Sequence, residues 1–186
     1  MKTRMLGRFL MAAALLAGAA AASTKRSANL PQSDSDIARN VRHAVLTYPY
    51  YSIWDDLSFR VADGNVDLQG AVNQPFKKQD IEHLVQQVPG VASVTDDIKV
   101  LPLSSMDDRL RLQVANAIYR DPNLSQYRMM AVPPIHIIVE NGRVTLTGTV
   151  NSDMEKQIAG MRAATSGLSF GPVANNLVVE HPAKKS

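Results

Sequence analysis

The 186-residue sequence contains no cysteine. That excludes disulfide staples, a thiolate metal site, thiol redox chemistry and a cysteine-linked lipid anchor. Aromatic residues are scarce, at 5% of the chain with one tryptophan, yet Tyr48, Tyr50, Tyr51 and Trp54 fall almost side by side. Long apolar runs are missing too. The stretch Phe9 to Ala19 falls short of the roughly 20 residues that cross a bilayer, and no later segment is longer. Following Lys2, Arg4 and Arg8 and preceding Ala20-Ala21-Ala22, it reads as a signal peptide over residues 1–22, with Ala17-Gly18-Ala19 as a second cleavage position. The rest is expected to be an exported, periplasmic chain. Excess charge is lacking as well: of 20 Lys+Arg against 17 Asp+Glu, the surplus is Lys2, Arg4 and Arg8. A neutral mature chain has no electrostatic footprint for nucleic acid.

What is present is an internal repeat. Ile37, Val41, Ala44, Val45 and Pro49 recur as Leu110, Val114, Ala117, Ile118 and Pro122. The stretch Gly64 to Asn73 recurs as Gly142 to Asn151, with Gly64, Gly70, Gly142 and Gly148 in register. Two copies follow, at 34–102 and 105–181, joined by a short Pro/Ser linker, with a flexible lead-in at 23–33 and a tail at 182–186. Each copy reads as a helix, an alternating strand, a two-residue Asp-Gly or Asn-Gly turn, a second alternating strand, a helix and a last strand, Val94 to Val100 or Val173 to Val179. Asp36 or Ser35 is expected to cap the first helix. Counting outward from the turns pairs Val61 with Val66, Phe59 with Leu68 and Leu57 with Gly70. In the second copy Val139 meets Val144, Ile137 meets Leu146 and Ile135 meets Gly148. On the other face Arg60 meets Asp67 and Glu140 meets Arg143. The fold class is α+β: two αββαβ units, each a three-stranded mixed sheet with both helices on one face. Gly70 and Gly148, opposite bulky residues, are expected to let a helix or side chain approach.

Chemistry is hard to find. His43, His83, His136 and His181 occupy unrelated positions and no metal spacing, and His136 is expected on the surface. Asp63 to Asp67 imitates a calcium loop but has Leu68 and Gln74 where glycine and an acid are needed. There is no phosphate loop and no nucleophile elbow. Asp55-Asp56, Asp96-Asp97 and Asp107-Asp108 suit solvated turns and caps. The expectation is a non-enzyme with no catalytic residue, metal or cofactor.

These motifs, Val61-Ala62-Asp63-Gly64 through Val72 and Val139-Glu140-Asn141-Gly142 through Val150, with Asn176 near the end of copy two and Asp97 in its place in copy one, resemble the BON domain, here in tandem. The resemblance covers nearly all of the chain after the signal peptide and is nearest to dual-BON proteins of the periplasm and outer membrane. It implies a non-catalytic envelope protein, associated with phospholipid surfaces, osmotic or envelope stress, or chaperoning of exported polypeptides.

Two surfaces are candidates. Helical spacing puts Leu112, Ala115, Asn116 and Tyr119, flanked by Arg109 and Arg111, opposite the core face of the second copy's first helix. Copy one has Arg39, Arg42, His43 and Leu46 there. The stripe is expected to meet anionic phospholipid, the first domain or a second subunit. The other candidate is the aromatic loop. Tyr48 and Trp54 are expected in the core of their own domain, while Tyr50 and Tyr51, with Tyr127 in the second copy, remain open to a partner.

Overall fold

Asp63-Gly64 and Asn141-Gly142 make the two hairpins because all four residues take positive φ, between 51° and 77°, the requirement of a two-residue turn matched to strand twist. In a computed structural model of the chain, residues 32–167 and 169–180 are described. The expected signal peptide, the start of the lead-in and the tail with His181 lie outside them.

The first repeat consists of α1 (Asp34–Leu46), β1 (Asp56–Ala62), β2 (Asn65–Val72), α2 (Pro75–Gln86) and β3 (Ser93–Val100). β1 pairs antiparallel and β3 parallel with the central β2. The second contains α3 (Ser105–Tyr119), a short α4 (Ser125–Arg128), β4 (Ile135–Glu140), β5 (Arg143–Val150), α5 (Asp153–Thr165), β6 (Ala174–Asn175) and β7 (Val178–Val179). β5 is central, antiparallel to β4 and parallel to β6 and β7. All eight cross-strand pairs expected from the sequence are present. The last strand of copy two, expected unbroken from Val173 to Val179, is split where Asn176 donates to the Leu146 carbonyl and Leu177 turns into the core.

Each repeat has its own core. Ile37, Val41, Val66, Leu68, Ile81 and Val85 are sealed in the first; Val114, Ile118, Ile137, Leu146, Ala159 and Leu177 are sealed in the second. The first strands differ: Ile135, Ile137 and Val139 are fully buried, whereas Leu57, Phe59 and Val61 are half-buried.

Carboxylates tie the elements together in parallel ways. Asp34 accepts the Asp63 and Gly64 N–H groups, each at 2.9 Å. Asp107 accepts those of Asn141 and Gly142 at 3.0 and 2.8 Å. The expected caps Asp36 and Ser35 give way to Ser33, because the helix begins at Asp34. Ser104 and Ser152 cap α3 and α5 in the same way. Asp55 is buried rather than solvated: it accepts from Ser52, from the Asn73 N–H and from Lys77 Nζ at 2.7 Å. In the second repeat Glu155 accepts the Asn151 N–H and the Tyr127 hydroxyl.

Gly70 and Gly148 serve a different purpose from the one expected. A Cβ there would lie 2.0 Å from the Asp56 carbonyl oxygen and 1.9 Å from that of Pro134. Backbone at the start of β1 and just before β4 fills most of the space, the His136 ring coming within 3.2 Å only at Gly148, and φ of 123° and 101° adds to the demand for glycine.

Candidate binding surfaces

α3 was expected to have one buried and one open face, but it buries two. Leu110, Val114 and Ile118 enter the core between sheet and α5. Arg111, Ala115 and Tyr119, four residues apart, form a second row against the edge of β4. The Arg111 guanidinium donates to the Val139 carbonyl at 2.6 Å, and the Tyr119 hydroxyl donates to that of Ile135 at 2.6 Å. Both side chains are buried, and desolvation raises the Tyr119 hydroxyl above the ordinary tyrosine range. The proposed contact stripe is therefore corrected: Arg111 and Tyr119 are internal and Ala115 is half-buried.

Arg109, Leu112 and Asn116 do face outward. With Met106 and Arg120 they follow one another at three- and four-residue steps along one exposed side of α3. Leu112 and Met106 remain 57% and 44% exposed. On α5 nearby, Arg162 donates to buried Asp121 at 2.6 Å. The Asn123 N–H and then Arg162 hold the Asp121 carboxyl below the usual range.

The aromatic loop divides three ways. Tyr48 belongs to the first core and donates to Asp80. Tyr50 is exposed and packs edge-on against Tyr48 and Phe76, with ring centres 5.7 and 5.4 Å apart. Tyr51 is half-buried, 5.6 Å from the His136 ring, and burial, followed by Asp55 and Asp56, pushes its hydroxyl up to about 12. His136 is consequently buried rather than on the surface. Ile53 and Trp54 pack against the second repeat's core, not the first, and the Ile53 carbonyl accepts the Ile137 N–H at 2.7 Å. Lys99 and Glu140 bridge the same seam at 2.6 Å. Tyr127, taken from sequence as a contact residue, is sealed against Glu155 and the Asn151 N–H.

No group of three His, Asp or Glu side chains is placed to hold a metal among the described residues. None of their helices is long and apolar enough to cross a membrane. The buried carboxylates Asp55, Asp107, Asp121 and Glu155 all accept from backbone N–H groups, whereas buried His136 keeps an unpartnered Nδ1. These carboxylates fix loops and turns by holding their backbone N–H groups.

Two αββαβ units, each with its own apolar core and a carboxylate-clamped hairpin, define a tandem α+β module. The family profile of the BON domain matches residues 33–102 and 106–180, and the chain belongs to that family. BON domains are generally non-catalytic and are associated with phospholipid-binding and osmotic-stress proteins of the envelope, commonly periplasmic ones. No curated protein matches the chain. Two solved structures of CdsD, a structural protein of the type III secretion system of Chlamydia trachomatis, share 14% identity over 81% of this chain. They are covered to 94% and 100% of their own length at TM-scores of 0.27 and 0.28. That likeness is too low to support a fold assignment, which rests on topology and the family match.

Proposed function

We propose that this protein is an exported, non-catalytic envelope protein that associates with anionic phospholipid through the exposed side of α3. The observation that carries the reading is the ridge Met106, Arg109, Leu112, Asn116 and Arg120. Two apolar side chains stand there among two arginines, on the side of the helix turned away from its two packed rows. Apolar side chains entering the acyl boundary while arginines meet headgroup phosphates is how interfacial helices bind, and added salt weakens the electrostatic part. Family membership supports an envelope role.

The test is co-sedimentation of the chain from Ser23 onward with anionic and neutral vesicles, alongside Arg109→Ser/Leu112→Ser. Both substitutions lie on exposed positions, so the fold should survive. Binding to anionic vesicles that salt weakens and the double variant loses is the expected result. Equal binding by the variant, or none by the unchanged protein, would reject the reading.

A further inference from the structure

The two repeats treat the same sheet edge differently. β1 and β4 are both edge strands, and alternate residues of such a strand turn their N–H and C=O groups away from the hairpin. Along β4 those residues are Ile135, Ile137 and Val139. Each has a partner from outside the sheet: the Tyr119 hydroxyl, the Ile53 carbonyl and the Arg111 guanidinium. The shared register puts Leu57, Phe59 and Val61 at the same places on β1. Among the described residues, no bond from outside the sheet reaches their backbone.

The helices show why. Arg111, Ala115 and Tyr119 of α3 correspond to Ala38, Arg42 and Leu46 of α1. Ala38 is too short to reach the strand, and Leu46 has no hydroxyl to donate. A groove of about 620 Å³ lies between α1 and β1, lined by Val45, Leu46, Leu57 and Phe59 and bordered by Arg39 and Arg42.

We propose that this groove accepts an extended polypeptide segment, which adds a strand to β1, rests an apolar side chain on Phe59 and Val45, and presents a carboxylate to Arg42. A strand matches because its N–H and C=O groups alternate at the spacing of the β1 edge. A hydrocarbon chain would cover the same groups without hydrogen-bonding them, which is costly. The charge favours an acidic segment: Arg39 shares its guanidinium with Asp36 at 3.1 Å, whereas Arg42 has no carboxylate partner among the described residues. The second repeat supplies the internal precedent, since its edge is already met by a loop carbonyl and two apolar side chains of the same chain. This site lies on the other repeat from the α3 ridge and stands or falls separately from it.

The experiment is fluorescence anisotropy of the purified protein with a labelled peptide of alternating valine and threonine ending in two aspartates. Comparison peptides carry lysines in place of the aspartates, or N-methyl groups on alternate amides. Saturable binding is expected, weakened about tenfold or more by lysine and abolished by N-methylation. Ala38→Arg/Leu46→Tyr, which transfers the second repeat's sealing side chains, should lose the peptide. Arg42→Glu, an exposed change that leaves the strand and core untouched, should reverse the preference to the lysine peptide. No saturable binding up to about 1 mM peptide, or unchanged affinity and charge preference in both variants, would overturn the proposal. Concentration-dependent self-association that Ala38→Arg/Leu46→Tyr abolishes would also overturn it, by assigning the groove to a second copy.

Discussion

Replacing Asp107 by alanine should be among the more damaging single changes available outside the cores. The carboxylate is 1% exposed and accepts two backbone N–H groups of the Asn141-Gly142 turn, of which the Gly142 bond is buried. A hydrogen bond to a charged group contributes about 1.5–3 kcal/mol, and a buried donor left unpaired adds its desolvation cost. The two bonds share one carboxylate, so their losses do not add fully. A total of about 3 kcal/mol follows. Asp34 makes the same two bonds in the first repeat, but it is half-buried and its Asp63 bond is exposed, so water can replace part of the loss. About half as much is expected for Asp34→Ala. With a urea slope of about 2 kcal/mol/M, Asp107→Ala should lower the unfolding midpoint by about 1.5 M. Trp54 fluorescence suits the assay, because this one tryptophan packs against the second repeat's core. Amide exchange at Asn141 and Gly142 should accelerate in the same variant. Equal losses for the two variants, or a loss below about 0.5 kcal/mol for Asp107→Ala, would refute the account of the clamp.

Acid should weaken the second repeat through Asp121, whose folded carboxyl is held low by the Asn123 N–H and Arg162. Its contribution is complete above about pH 4 and disappears as pH falls through the lower folded value, so Asp121→Asn should flatten the acid limb of a stability curve. Tyr51 behaves in the opposite sense: with its hydroxyl raised to about 12, its contribution is complete below about pH 10 and is lost as pH rises toward the folded value. Tyrosinate absorbance of Tyr51→Phe against the unchanged protein should show one late-titrating group missing. Because Trp54 is only half-buried, Trp54→Ala should cost about 3 kcal/mol, the low end for such a truncation, and speed exchange of the Ile137 amide, which a tryptophan belonging only to the first core would leave protected.

The repeat, the hairpin turns and the strand register were legible in the sequence because each follows from a short local rule: alternation, a two-residue turn and one face per strand. The clamps were half legible. Asp107 is an acid near a helix start, and only the folded hairpin shows that its oxygens serve a turn thirty-four residues away. α3 was misread because helical periodicity assumes one buried face. Arg111 and Tyr119 carry polar ends, which argue for solvent until a strand edge with unpaired carbonyls is placed beside them. The spacing Arg111, Ala115, Tyr119, with a small residue between two long ones, was the available signal. Trp54 was assigned to the wrong core because nothing local distinguishes a ring that closes its own sheet from one that crosses to the next.

The divergence of the repeats follows from the edge-strand problem. A three-stranded sheet has two edges, and an uncovered edge is a standing invitation to other strands. The second repeat covers its first edge from within, using two long side chains from α3 and a loop lent by its neighbour. The same loop cannot serve both repeats, since Ile53 faces Ile137 and so turns away from the strand it precedes. Duplication therefore gives one closed edge and one open edge unless α1 supplies the missing donors, and Ala38 and Leu46 do not. The half-buried Leu57, Phe59 and Val61, against the fully buried Ile135, Ile137 and Val139, are the packing consequence of that difference.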